Sequence, residues 1–341
     1  MAPRHVAKDL MTPSLPKIEN IHALKPPIWA RTGHLQTILS HLIPSPMLNF
    51  PLEEHIITLK DGDQLKIYIH RGQKPVVITL FHGLAGDIQS DYMQRTAVLA
   101  EKMDCTLVLV NHRGAHSGLA LAKHPYHSGK GEDASDVFEW LREKFPQQFL
   151  LGIGISMSGS ILLNLLSGLR GTVKPDAVIT VNAPLDLKKG SMQLARGLNR
   201  IYDIRFVHRL SRDLRRKHQL GLLDRKYQIP ISATLYDFDR IFTGPATEFK
   251  TRENYYASCS VRDHLQSVDR PCIMLTAFDD PFVDVHDYLQ AKKSEWVQMH
   301  IEPTGGHVGY LGLEPDNGKV MRWLDYFLKE SILKLTAKVS H

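Results

Sequence analysis

The chain has 341 residues, of which 43% are hydrophobic and 23% charged, with a mean hydropathy of −0.21. That balance excludes both a disordered polar chain and a polytopic membrane protein, and the length suits one domain carrying an insertion. The formal net charge of +6 permits attraction to acidic surfaces without marking a nucleic-acid binder. The three cysteines, Cys105, Cys259 and Cys272, lack CxxC spacing, which excludes a disulfide framework and points to a reducing, cytoplasmic setting.

In chain order, residues 1–50 read as a proline-punctuated arm packing on the core, with a short helix from Thr32 to Leu42. The opening residues carry positive charge with no apolar stretch behind it, so neither a signal peptide nor a spanning helix is expected. His55 to Leu59 and Leu65 to His70 alternate around Asp61-Gly62, the pattern of a hairpin. Val76 to Phe81, Thr106 to Asn111, Leu150 to Ile155, Ala177 to Asn182, Cys272 to Ala277 and Trp296 to Glu302 read as strands, the most apolar of them covered on both faces. Helices are expected over Tyr92 to Lys102, Asp133 to Phe145 and Asn317 to Leu333, with a long, polar, flexible loop at His112 to Gly129. Strands alternating with helices give an α/β class: a mostly parallel central sheet with helices on both faces. From Pro184 to about Arg270 the rhythm stops and the pattern turns helical and basic. The expected organisation is a core over 51–183 and 271–341, with a helical lid over 184–270 at the ligand-binding edge of the sheet.

The informative stretch is Gly152-Ile-Gly-Ile-Ser-Met-Ser-Gly-Ser160, set between an apolar strand and an apolar helix. Its glycines and serines argue against a membrane helix, and Met157 stands where a dinucleotide loop needs its third glycine. A strand–turn–helix this tight forces the residue at its apex, Ser156, outward in strained geometry, and the following helix N-terminus favours negative charge there. Ser158 stands where the G-x-S-x-G pattern has its second glycine.

Serine alone is a poor nucleophile and needs a base and a carboxylate to orient that base. In chain order after Ser156, Asp279 and Asp280 follow one strand, and His307, among glycines in a mobile and accessible loop, follows the next. Asp280 is the preferred acid because the Pro-Phe-Val turn follows it directly. The expected oxyanion donors are the backbone N–H groups of Met157 and of Leu84, the latter in Phe81-His-Gly-Leu-Ala-Gly86. His82 is expected to brace that loop. His112, His116, His124 and His127 match no common zinc spacing, so no metal is expected. The basic cluster over 196–226 reads as a solvated helical face, open to weak peripheral contact with an anionic membrane. No nucleic-acid module surrounds it.

With these motifs in place, the chain resembles the YheT-like branch of the α/β-hydrolases, which includes eukaryotic abhydrolase-domain esterases and lipases. The resemblance runs from about Trp29 to the C-terminal helix. It rests on Gly33-His-Leu-Gln-Thr37, Phe81-His-Gly-Leu84, His112-Arg-Gly114, Tyr126-His-Ser-Gly129, Glu132-Asp-Ala-Ser135, Asp279-Asp-Pro-Phe282 and Gly305-Gly-His-Val-Gly309. It implies a nucleophile at Ser156, an acid at Asp280 and a base at His307. It also implies a carboxylic ester hydrolase acting without a cofactor on small or lipid esters through an acyl-serine. A thioesterase or acyltransferase would use the same groups; a non-catalytic scaffold binding a lipid or partner is the reading from another class. A histidine base near its ordinary pKa of about 6.5 implies activity rising through roughly pH 6–7.

Overall fold

The structure is a computed structural model that describes residues 15–339. Eight strands form one sheet: β1 (Glu53–Thr58), β2 (Gln64–His70), β3 (Lys74–Phe81), β4 (Cys105–Asn111), β5 (Phe149–Ile155), β6 (Ala177–Val181), β7 (Cys272–Ala277) and β8 (Val297–Glu302). Their order is β1-β2-β4-β3-β5-β6-β7-β8. The β1–β2 and β2–β4 pairs are antiparallel, and every later pair is parallel. β4, β6 and β7 are buried at every position, as continuous apolar runs require when helices cover both faces.

The ten α-helices among the described residues are α1 (Gly33–Leu42), α2 (Asp91–Lys102), α3 (Gly131–Lys144), α4 (Met157–Leu166), α5 (Leu187–Leu194), α6 (Arg200–Gln219), α7 (Leu235–Phe238), α8 (Arg252–Cys259), α9 (Val285–Gln290) and α10 (Trp323–Thr336). The period of two divides the sheet residues between two cores. Phe81, Val108 and Leu150 pack with Phe138 of α3 and Leu162 of α4; Leu80, Leu107 and Ile153 pack with Ala97 of α2 and Phe327 of α10. All ten residues of α4 are buried, so the helix that leaves Ser156 is fixed along its whole length. Each large side chain buried this way contributes about 1.5–3 kcal/mol before entropy is charged against it.

Two expectations change here. The last long helix starts at Trp323, not at Asn317, because Asp316-Asn-Gly318 turns the chain into β10 (Val320–Arg322), which pairs antiparallel with β9 (Leu311–Leu313). Gly318 takes φ +68°, a backbone value that suits glycine and ends any helix there. The stretch from His112 to Gly129 is not a loose polar loop either. His112, Arg113, His127 and Ser128 are buried, and Arg113 binds Asp133 and Asp63 within the core. Polar composition misled because the buried His112 and Arg113 find their partners inside the protein, His82 and Ser158 for the one and Asp63 and Asp133 for the other.

The described part of the N-terminal arm lies along β8: the Ile18 N–H donates to His300 Nδ1 and the Ile301 N–H donates to the Pro16 carbonyl. Residues 1–14 of that arm lie outside the described residues. Between β6 and β7, helices α5 to α7 and the helical turn that follows them build an apolar cluster from Leu194, Val207, Leu214, Leu235, Phe238 and Phe242, closed by Phe282 from the core. Helix α6 is two-faced: Arg205, Arg212, Arg215 and Arg216 are exposed, while Val207, Leu214 and Lys217 are buried.

Candidate active site

Ser156 sits between β5 and α4 at φ 54°, ψ −120°, a strained backbone for a side chain other than glycine. The reversal demands Gly154, where a side-chain carbon would lie 2.5 Å from the Ser158 carbonyl oxygen, and Gly159, where one would lie 2.6 Å from Ala183. Ser158 is fully buried. Its hydroxyl donates to the His82 carbonyl and accepts from His112 Nε2 at 2.7 Å. The residue in the place of the second motif glycine therefore ties the turn to the neighbouring strand ends. His82 Nε2 accepts the His112 N–H at 3.2 Å, which leaves Nδ1 to donate to the Gly83 carbonyl at 2.8 Å. Burial pushes His82 down to about 4 and His112 well below its ordinary value, so both rings are neutral struts.

His307 follows β8. Its Nδ1–H donates to Asp280 Oδ2 at 2.8 Å, and its Nε2 accepts the Ser156 hydroxyl at 2.8 Å. Asp280 Oδ1 accepts the Phe282 and Val283 N–H groups at 2.9 and 3.0 Å, which leaves Oδ2 for the ring and for Asn182 Nδ2. Asp279 turns the other way. It accepts from the Thr304 hydroxyl and from the Gly305 and Gly306 N–H groups, so it shapes the histidine loop without touching the ring. His307 itself is only 8% exposed and packs against Phe282, tilted to it, at 4.1 Å between ring centres, so the expected mobile, accessible loop is a packed one.

Two further residues hold this arrangement, and sequence reasoning passed over both. Asn182, at the end of β6, has φ +51° and is fully buried. It donates to Asp280 Oδ2 at 2.6 Å and to the Gly306 carbonyl at 3.2 Å, and it accepts the Val308 N–H. An asparagine closing an apolar strand was the available signal, since asparagine tolerates a left-handed backbone. Thr37, on α1, accepts the His307 N–H at 2.8 Å and donates to the Gly33 carbonyl at 2.7 Å. It lay within the Gly33-to-Thr37 motif, but nothing local in the sequence couples that motif to a loop 270 residues away.

The loop after β3 approaches from the other side. A side-chain carbon at Gly83 would lie 3.3 Å from Ser156 Cβ. The Gly83 N–H donates to the Tyr92 hydroxyl and the Ala85 N–H to the Tyr126 hydroxyl. Between them, the Leu84 N–H has no backbone or side-chain acceptor among the described residues, nor does the Met157 N–H that opens α4. Leu84, Met157, Ser156 and His307 all line one cavity of about 1100 Å³, open mouth included. The rest of its wall is largely apolar, with Phe206, Leu210, Leu214, Phe238 and Phe242 contributed by the segment between β6 and β7. The four histidines after β4 do not converge: His112 bonds Ser158, His124 bonds Asp63, His116 approaches Asp87 and His127 packs against Phe249 and Tyr255.

A family model described as the alpha/beta hydrolase fold matches residues 76–312, well over half of the chain. The chain belongs to that family. Among curated relatives it is 28% identical to YheT of Escherichia coli (strain K12), a protein named only provisionally as an esterase, over 87% of this chain and 91% of that one. It is 26% identical to the mouse phospholipase ABHD3 over 84% of this chain and 72% of that one. Among solved structures, the Pyrococcus furiosus esterase Pf2001 superposes with a TM-score of 0.56, covering 94% of this chain and 98% of that one at 14% identity, a likeness of fold alone. Among the described residues, no helix is long and apolar enough to cross a membrane.

Proposed function

We propose that this α/β-hydrolase cleaves carboxylic esters of small or lipid acyl groups through an acyl-serine at Ser156. One observation carries the reading: a single imidazole, His307, joins the Ser156 hydroxyl and the Asp280 carboxylate, each at 2.8 Å. His307 Nε2 takes the Ser156 proton as the oxygen attacks the ester carbonyl, and Asp280 holds the Nδ1–H tautomer and stabilises the imidazolium. The free N–H groups of Leu84 and Met157 receive the oxyanion, each donor being worth about 2.7–4 kcal/mol in such sites. The imidazolium returns its proton to the departing alcohol. Water, deprotonated by the same ring, then releases the acid and restores the serine. No step needs a cofactor.

The apolar cavity and the relatives' names support an acyl-chain substrate. We read the helical segment between β6 and β7 as the cover of that site. A thioesterase or acyltransferase would share every one of these groups, and the identity of the acceptor separates the three. A binding scaffold has no use for an imidazole bridging a strained serine to a buried carboxylate. The test is a nitrophenyl ester panel of increasing acyl length, run on wild type and Ser156→Ala. The expected result is a length optimum in wild type and a loss of about a thousandfold or more in the variant. Equal rates in the two proteins overturn the proposal.

A further inference from the structure

The cavity wall is apolar apart from a few groups, and among the described residues one of them is a lysine: Lys217, near the C-terminal end of α6. Lys217 is only 5% exposed. Its ammonium donates to the backbone carbonyls of His124 at 3.1 Å and Lys123 at 3.4 Å. It also fills the space over Gly114, where a side-chain carbon would lie 2.4 Å from Nζ. Gly114 and Lys217 both line the chamber that holds Ser156 and His307.

An ammonium out of water ordinarily faces a carboxylate, because neutral carbonyls return only part of its hydration energy. The charged groups around Lys217 are Asp213, one turn earlier on α6, and Asp63 and Arg113 on the core. Asp63 is already committed to Arg113 at 2.8 Å and to His124 at 3.0 Å, and Asp213 leans towards Arg212 at 3.6 Å. Among the described residues no carboxylate forms an ion pair with Lys217. Fastening α6 to the loop after β4 requires no charge, since a neutral donor could bond the same two carbonyls. A buried cation with three N–H donors and two neutral acceptors, on the wall of a substrate chamber, has one donor left for an anionic oxygen.

We propose that Lys217 is the core of an anion subsite that selects esters bearing a phosphate or carboxylate at a distance from the scissile bond. The proposal rests on the ester-hydrolase reading and deepens it by naming a substrate feature. Burial lowers Lys217 to about 8, so the ammonium persists at neutral pH and is lost as the pH rises past that value. Preference for an anionic substrate then falls over the same range.

Two matched substrate pairs distinguish the sources of the anion. Lauroyl lysophosphatidate against monolauroylglycerol places a phosphate on the alcohol side. Nitrophenyl hydrogen adipate against nitrophenyl hexanoate places a carboxylate at the acyl end. In at least one pair, Lys217→Met is expected to cut kcat/KM for the anionic member about tenfold more than for the neutral member, chiefly through KM. Lys217→Gln, which keeps a donor and drops the charge, is expected to do the same. Wild type is expected to lose its preference between about pH 7 and about pH 9.5. That profile needs no variant to fold. Equal losses on charged and neutral members, or a preference flat across that pH range, assign Lys217 to the fastening of α6 alone and overturn the proposal. Absence of turnover on all four esters instead strikes the hydrolase reading, so the two failures are distinguishable.

Discussion

Adjacent aspartates with different partners show how much chemistry one residue of register controls. Asp280 gives one oxygen to the backbone and the other to His307 and Asn182, whereas Asp279 spends both on the loop that carries the histidine. Burial raises the Asp279 carboxyl, and three donors oppose that rise. Asp280→Asn, which cannot enforce the Nδ1–H tautomer, is expected to lower kcat by about 10⁴. Asp279→Asn retains an acceptor for the loop and is expected to lower kcat by about tenfold or less, alongside a measurable drop in denaturant midpoint. Steady-state kinetics on the pair checks both; equal losses would contradict the division of labour. From sequence, strand-end position singled out the pair, and the turn after Asp280 gave a preference between them. Asn182 stayed unread because its partners lie on two loops that meet only when β6, β7 and β8 pair in register.

At the scale of elements, α1 acts as a clamp across the acid and histidine loops. A side-chain carbon at Gly33 would lie 1.8 Å from the Asp279 carbonyl oxygen, and one at Gly306 would lie 2.2 Å from the Gly33 carbonyl oxygen. Gln36 is fully buried, donates to the Ala30 and Leu311 carbonyls and accepts the Leu311 N–H at 2.6 Å. Gly33→Ala must push α1 off the acid loop. It is expected to cost about 1–3 kcal/mol by chemical denaturation and to lower kcat/KM with it; a variant as stable and as active as wild type would show that α1 merely rests on the core. The extent of α1 was legible from its own residues, since Thr32 caps it and proline precedes it. Its role was not, because contacts spanning 270 residues leave no local periodicity. The start of α10 was misread for a different, local reason: Asn317-Gly318 is a turn signal that folds β10 back onto β9, and it was read through as helix.

For the molecule as a whole, the parallel half of the sheet delivers Ser156, Asp280 and His307 from the ends of β5, β7 and β8 to one rim. The segment between β6 and β7 supplies the apolar wall over that rim and turns Arg205, Arg212, Arg215 and Arg216 outward. The fold class was readable from alternating apolar runs, and the wall was not, since tertiary contact with the core decides which side chains of that segment face the cavity. The central claim is that this architecture exists to activate one hydroxyl. Its most direct test is labelling the folded protein with a fluorophosphonate and mapping the adduct by peptide mass spectrometry. The account predicts a single adduct on Ser156, with a labelling rate that collapses in His307→Ala, and none on the buried Ser158 two residues away. A folded protein that stays unlabelled at Ser156, or that labels equally fast without His307, would contradict it.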